Sequence, residues 1–251
     1  MRIVVLIKQV PDMNTVKIDR ATGKPTLDGQ RVVSSFDEYA IEAGLRLKEQ
    51  HEGEVTVICA GPPSVKDAIT RALAMGVDNA VQIALPNAND IDTLTLATVL
   101  VVEIGKLEPD VVLTGQNSDD YQTGHLGPQL AELLGIPHLS SVTRIDGGDS
   151  EFSVQRDTED GKQVVTVSTP LLLMAMTGLN EPRLPSIKGM MAAKRKPVEQ
   201  VTADLPSAAP SLSWSEPFVP ERTVTGTVVQ GVAASEAATQ LVTWLKEQKL
   251  L

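Results

Sequence analysis

The chain has 251 residues, 42% of them hydrophobic, and 22 basic against 32 acidic side chains give a formal net charge of −10 at neutral pH. That charge, a pI near 4.8 and only two Trp, two Tyr and three Phe oppose a polyanion and exclude a broad nucleic-acid-binding surface. No apolar run reaches the ~18 residues of a membrane span, the single Cys59 forms no internal disulfide, and His51, His125 and His138 are scattered away from metal-ligand spacing, so a cytoplasmic globular protein is expected.

Short Val/Ile-rich runs alternate with longer segments of helical period, which predicts an α/β fold with a mostly parallel sheet flanked by helices. Residues 3–8 (IVVLIK) predict the first strand. Residues 36–50 predict a helix that carries Tyr39, Ile41, Leu45 and Leu47 mostly on one side, with Ser34 or Ser35 as its cap. The next strand is expected at 54–59 and a turn at Gly61-Pro62-Pro63. Ser64 with Asp67 resembles a capping arrangement for a helix that Gly76 ends. A strand at 80–85, a helix from about 92 to 107 and a strand at 110–114 follow. A long loop from Gly115 to Gly127 then leads to a helix opened by Pro128 and stopped at Gly135.

Beyond residue 140 the texture changes. Runs at 152–156 and 163–169 around a polar Asp-Gly turn predict a hairpin, and an apolar run follows at 171–176. Residues 197–231, with Pro197, Pro206, Pro210, Pro217 and Pro220 among many Ser, Thr and Ala, predict an extended arm. Residues 235–248 predict a short amphipathic helix that opens at Ser235 and brings Leu241, Val242 and Leu245 to one face. Such an arm either docks on a second subunit or folds back on its own domain.

The loop at 115–127 is the best candidate site, because ligands of open α/β sheets collect beyond the carboxyl ends of strands, where helix N-termini aim free N–H groups. Its glycines and the Ser118 and Thr123 hydroxyls suit a phosphate. Asp119 and Asp120 oppose an anion and suit backbone N–H groups or ribose hydroxyls better. The loop matches neither a Walker A nor a GxGxxG pattern, so its spacing alone leaves a plain structural turn open. Leu179 to Ile187, with Lys188, Lys194, Arg195 and Lys196 after it, is a local positive patch: a protein-docking or anion-contacting loop, or a solvated basic turn. Catalytic constellations are thin. No G-x-S-x-G elbow occurs, His125 reads as a loop residue, Cys59 as a buried inert thiol, and Lys8 as a ligand contact or a snorkelling side chain.

Four stretches together resemble the beta subunit of electron-transfer flavoproteins over roughly residues 1–200. They are Val4 to Pro11 with Val16-Lys17-Ile18-Asp19, Ala72 to Asp78 (ALAMGVD), the 115–131 loop, and Leu179-Asn180-Glu181-Pro182-Arg183 with Ala193-Lys194-Arg195-Lys196. The resemblance implies a fold like that of adenine-nucleotide alpha-hydrolases, with a nucleotide-binding domain at 1–196 and an arm and terminal helix at 197–251 that embrace an alpha subunit. It implies a heterodimer in which FAD sits mainly in the alpha subunit and AMP in the beta subunit. Electrons pass from donor dehydrogenases, often acyl-CoA dehydrogenases of fatty acid oxidation, through the FAD to a quinone reductase.

Carried over by position, AMP contacts are expected at Leu6, Ile7, Lys8, Ser34, Ser35, Phe36, Asp37, Ala60, Asp120, Gln122, Thr123, Gly124, His125, Leu126, Gly127, Pro128, Gln129, Leu130 and Ala131. Partner recognition is expected at Asn180, Glu181, Pro182, Arg183, Ile187 and Lys188, with Ile187 as the apolar anchor. The chain departs from the family pattern at Gln116 to Tyr121, where a basic residue is usual, and at Ser34-Ser35-Phe36-Asp37, where Asn-Pro-aromatic is usual. Two alternatives stay open: a bifurcating-type subunit with a second FAD in place of AMP and NADH as donor, and a stand-alone ATP-binding or hydrolysing protein of the same fold. Few aromatic rings, no metal-ligand cluster and no clear acid–base pair suit a nucleotide-holding scaffold better than a stand-alone redox enzyme.

Overall fold

A computed structural model of the chain describes every residue except 28, 89, 149, 206–211 and 221–225. The described residues form two compact units, Met1–Pro217 and Phe218–Leu251. The first extends past the boundary expected near residue 196.

The first unit begins with β1 (Arg2–Leu6), four of whose five residues are buried. Four short strands follow, β2 (Gln9–Pro11), β3 (Lys17–Ile18), β4 (Pro25–Thr26) and β5 (Arg31–Val33), which pair as two antiparallel ribbons, β2 with β5 and β3 with β4. The chain then alternates α1 (Ser35–His51), β6 (Glu54–Gly61), α2 (Lys66–Met75), β7 (Asn79–Ala84), α3 (Thr93–Leu107), β8 (Val111–Gly115) and α4 (Leu126–Leu134). Strand β9 (His138–Gly148), the hairpin β10 (Glu151–Thr158) and β11 (Gly161–Ser168), β12 (Leu171–Ala175), helix α5 (Ile187–Ala193) and β13 (Glu199–Thr202) complete it.

Among the described residues the main sheet has nine strands in the order β11-β10-β9-β12-β8-β1-β6-β7-β13. All its pairings are parallel except β9 with β10 and β10 with β11. From β1 the chain moves outward through β6 and β7, then returns by α3 to lay β8 on the other side of β1. That reversal makes a crevice outside the carboxyl ends of β1, β6 and β8.

Alternation along β1 divides the core. Ile3 and Val5 face the cluster built on α1 and α2, and Val4 and Leu6 face the cluster built on α3 and α4. In α1, Gly44 lets the helix lie close to the sheet, since a Cβ there would meet Val5 Cγ2 at 3.0 Å and Leu113 Cδ1 at 3.4 Å.

The predicted strands and helices occur in the predicted order, with β2 to β5, β9, α5 and β13 added to them and with local corrections. Ser34 occupies the cap position of α1 without capping it. Its buried hydroxyl accepts the Asp119 N–H at 3.3 Å, and the Asp119 carboxylate takes the Ser35 N–H at 2.7 Å and the Ser35 hydroxyl at 2.6 Å. A distant acid thus closes this helix start, where local spacing pointed to a serine. Ser64 makes no capping bond either, because a tight 3-10 turn over Pro63–Val65 precedes α2. Helix α4 starts two residues before Pro128, which still lies in the first turn, where a missing N–H costs nothing. Strand β13 is a sheet edge built from the proline-rich segment, a position that tolerates nearby prolines.

The second unit carries α6 (Ala234–Glu247), whose Leu241, Val242 and Trp244 are exposed. Its cap position is Ala233 rather than Ser235.

Candidate functional site

A pocket fills the crevice at the strand reversal. Leu6, Ile58, Leu96, Leu100 and Met174 form an apolar part, and Thr114 to Ser118 and Thr123 to Gly127 bring the loop after β8 over it. The sheet supplies a rigid base and the loop the polar groups, the usual division for such sites.

Three features make this pocket a place for an anion. Helix α4 points its N-terminus into it through His125, Leu126 and Gly127, and no side chain caps that end. Uncapped N–H groups and the helix dipole favour negative charge there. Arg31 adds positive charge to the lining, while Asp120 offsets that of Lys8. Gly124, at φ 63°, takes the left-handed conformation the loop needs to turn into the helix, and a Cβ there would also crowd Asn117 Oδ1 at 3.1 Å.

Thr114 supplies a further sign. The residue lines the pocket at 4% exposure, and its buried hydroxyl has no hydrogen-bond partner. A buried hydroxyl left unpaired is costly, and a polar ligand atom would satisfy it. The residues present therefore fit a small phosphorylated ligand: apolar base, unpaired hydroxyl, helix N-terminus and cationic lining.

Asp37 ties the pocket together. Its carboxylate accepts the N–H of Lys8 at 2.7 Å and that of Gly115 at 3.2 Å, joining the ends of β1 and β8 to the start of α1. Gly115 permits this approach, because a Cβ there would lie 2.5 Å from Asp37 Oδ1 and 2.7 Å from Phe36 Cβ. Burial pushes the Asp37 carboxyl up to about 8, against the pull of its backbone partners. Cys59 is likewise inert, since burial and then the nearby Asp37 push its thiol up to about 12.

The two loop acids do different jobs, neither of them at a phosphate. Asp119 closes α1, as described, and Asp120 holds the Lys8 ammonium through both oxygens at 2.8 and 2.9 Å. The ammonium also lies 4.3 Å from the centre of the Tyr121 ring.

Of the expected nucleotide contacts, Leu6, Ile7, Lys8, Asp37, Ala60, Thr123, Gly124, His125, Leu126 and Gly127 line the pocket. Asp120 touches it only through Lys8. Ser35 and Gln122 line a separate shallow groove with Asp119 and Arg71. Ser34 and Phe36 sit beneath the lining, Pro128 and Gln129 are half-buried on α4, and Leu130 and Ala131 are fully buried against the α3/α4 side of the sheet. Gln116 and Tyr121, within the predicted loop, line the pocket too, whereas sequence reading missed Thr114 just before the loop. It also missed Ile91 and Trp214, which no local signal marks.

The second predicted region has a different geometry. Arg183 clamps its loop to α1: Nε and Nη2 donate to Glu42 at 2.8 and 3.1 Å, its N–H to the same carboxylate at 3.2 Å, and Nη1 and Nη2 to Glu49 at 2.5 and 3.1 Å. Asn180 Nδ2 donates to the Tyr39 carbonyl at 2.9 Å. Burial pushes the Glu42 carboxyl up, but the bonds from Arg183 and Arg46 more than reverse it, so it sits below the ordinary glutamate value. Held this way the loop presents Leu184, 83% exposed, beside Ile187, 76% exposed, with Pro185 between them. Glu181 and Lys188 are exposed and Pro182 is half-buried. The segment after Pro185 is a short helix, α5, capped by Ser186 onto the Gly189 N–H at 3.0 Å, where sequence reading expected a loop.

A sequence model described as the Electron transfer flavoprotein domain matches residues 26–206. The chain belongs to that family. It is 35% identical over 255 residues to the electron transfer flavoprotein subunit beta of Bacillus subtilis, covering 99% of this chain and 98% of the relative. The corresponding subunit of Thermoanaerobacterium thermosaccharolyticum is 40% identical over 206 residues, 81% of this chain and 79% of the relative. A Caffeyl-CoA reductase-Etf complex subunit, CarD of Acetobacterium woodii, is 34% identical over 262 residues, spanning the whole of both chains. The resemblance read from the four motifs is thus the family relationship, and electron transfer is its setting. Among the described residues no helix is long and apolar enough to cross a membrane.

Proposed function

We propose that this chain is the beta subunit of a heterodimeric electron-transfer flavoprotein and holds AMP in the pocket at the strand reversal. One observation carries the nucleotide: buried Thr114, whose hydroxyl is unpaired, lines the same apolar pocket as the uncapped N-terminus of α4. The phosphate sits at that N-terminus, near His125 to Gly127. Burial raises the Asp37 carboxyl to about 8, which favours its neutral form beside the anion.

FAD, held mainly by the alpha subunit, supplies the electron-carrying chemistry. This chain contributes by holding the nucleotide as part of the framework, by docking on the alpha subunit through the segment 218–251, and by presenting the Arg183-anchored loop to donor dehydrogenases. A quinone reductase takes the electrons onward. Leu184 joins Ile187 as an apolar anchor of that loop, since it is the more exposed of the two.

Co-expression with an alpha subunit encoded by the same organism tests the assignment. A yellow complex of one copy each is expected. A colourless chain that stays monomeric beside a folded alpha subunit would refute it.

A second reading puts FAD in this pocket in place of AMP, with NADH as donor. It is favoured by a lining that continues from the α4 N-terminus out to Arg31 and Trp214. The two readings differ in the FAD content of the complex.

A further inference from the structure

The outer wall of the pocket comes from a part of the chain that none of its motifs touches. Trp214 lies in the proline-rich arm, yet its indole lines the pocket and stacks on Tyr121 with ring centres 4.4 Å apart and planes 32° from parallel. This is one of only two tryptophans in the chain.

The segment around it is pinned to the rim at three points. The Leu212 N–H donates to Asp92 Oδ2 at 3.2 Å, the indole Nε1–H donates to the Ile91 carbonyl at 3.3 Å, and Glu216 forms an ion pair with Lys24. Asp92 is 3% exposed and uses its other oxygen to cap α3 at the Thr95 N–H, 2.7 Å away, so the first pin is itself rigidly held. A stretch of chain with no regular secondary structure is therefore held at the pocket on both sides of an aromatic plate.

Aromatic plates at the mouth of an apolar pocket offer a face to a planar ring and shed the water around it. Tyr121 alone leaves that wall open on the side that Trp214 covers. Burial, and after it the charge of Asp120, hold the Tyr121 phenol above its ordinary value, so the plate stays neutral.

We propose that Leu212–Glu216 is a strap across the nucleotide pocket and that Trp214 is a ligand-contacting residue, whose indole closes the wall on the planar ring of the bound nucleotide and slows its release. This rests on the nucleotide reading above. Release then requires the Asp92 and Ile91 hydrogen bonds to break, so the strap governs the dissociation rate more than the association rate. Because the strap belongs to the arm that follows the last strand of the sheet, docking of a second subunit on the arm and retention of the nucleotide become linked.

The test uses the full chain freed of nucleotide, with AMP as the probe. Trp214→Ala is expected to weaken AMP binding at least about tenfold, mostly through faster release measured by stopped-flow chase of a fluorescent AMP analogue, while Trp214→Phe, which keeps a ring, stays within about threefold of wild type. In a Trp244→Phe background Trp214 is the sole indole, and saturating AMP is expected to change its emission. Equal affinity and equal release rate in wild type and Trp214→Ala, or an indole emission unmoved by saturating AMP, would overturn the strap while leaving the nucleotide reading intact. Failure of the wild-type chain to take up AMP or FAD would overturn both. Urea midpoints of the two variants show whether each is folded, and Trp214→Phe decides the matter if Trp214→Ala is not.

Discussion

Replacing Arg183 by Met removes the clamp between the exposed loop and α1, and its cost follows from the contacts. The Glu42 carboxylate is 4% exposed and takes three of its four hydrogen bonds from Arg183 and one from Arg46, at 2.8 Å. Breaking a buried pair from one side typically costs about 3–5 kcal/mol, because the remaining charge is left desolvated. Arg46 survives as a partner and the backbone N–H of residue 183 still donates, which reduces the figure to about 2 kcal/mol. The Glu49 contact is more exposed and adds less than about 0.5 kcal/mol.

Urea unfolding of wild type, Arg183→Met, Glu42→Gln and the double variant would measure it. A coupling of at least about 1 kcal/mol is expected, with Arg183→Met the worst of the single variants because it strands a charge. The acid limb should change too. Glu42 and Glu49 both sit below their ordinary value in the folded state, so the stability they contribute is present above pH 4.5 and is lost as pH falls through the lowered values. Arg183→Met should flatten that loss. A variant within about 0.5 kcal/mol of wild type at neutral pH, with an unchanged acid limb, would refute the claim that this clamp holds the loop.

Other outcomes follow from the pocket. Thr114→Val removes the unpaired hydroxyl and should stabilise the nucleotide-free chain by about 1 kcal/mol while weakening AMP, a combination that a hydroxyl without a ligand role would not give; calorimetry of both states reads it. Gly115→Ala drives a methyl into Asp37 and the Phe36 Cβ and should cost about 2–3 kcal/mol in urea unfolding. Asp37 has a raised folded value, so its contribution to stability is full below pH 3.8 and is lost as pH rises toward about 8; the stability advantage of wild type over Asp37→Asn should shrink between pH 5 and 8, and a constant gap would contradict the burial argument. Leu184→Ala should leave the unfolding midpoint unchanged, since the side chain is 83% exposed, and lower kcat/KM for reduction of the complex by its donor dehydrogenase about tenfold.

Strong periodicity and glycine or proline punctuation made the central elements readable. The β1 run, the amphipathic α1 and the Gly76 and Gly135 stops all lie where pattern places them. Strand β9 was not readable, because its serines, Thr143 and Arg144 break the alternation, and it is completed by pairing with β12 and β10 rather than by its own composition. Helix caps failed for a related reason. Asp119 closes α1 across a sequence distance of 84 positions, which no local window sees. In the site, the loop after β8 was legible because glycines, a strand before it and a proline after it coincide. The outer wall was not. Trp214 reaches the pocket from a part of the sequence distant from the other lining residues, and Leu184 gains its exposure from the way Arg183 pins its neighbour, so both are products of tertiary packing.

What the pocket holds decides the role of this chain. Co-purification with the alpha subunit, denaturation of the complex and chromatographic quantification of the released nucleotides measure that directly. One FAD and one AMP per heterodimer is the result expected, and Thr114→Val should lower the AMP without lowering the FAD. Two FAD and no AMP would move the pocket to a flavin and replace the proposed ligand, and one FAD with neither AMP nor a second flavin would contradict the nucleotide-holding role of this chain.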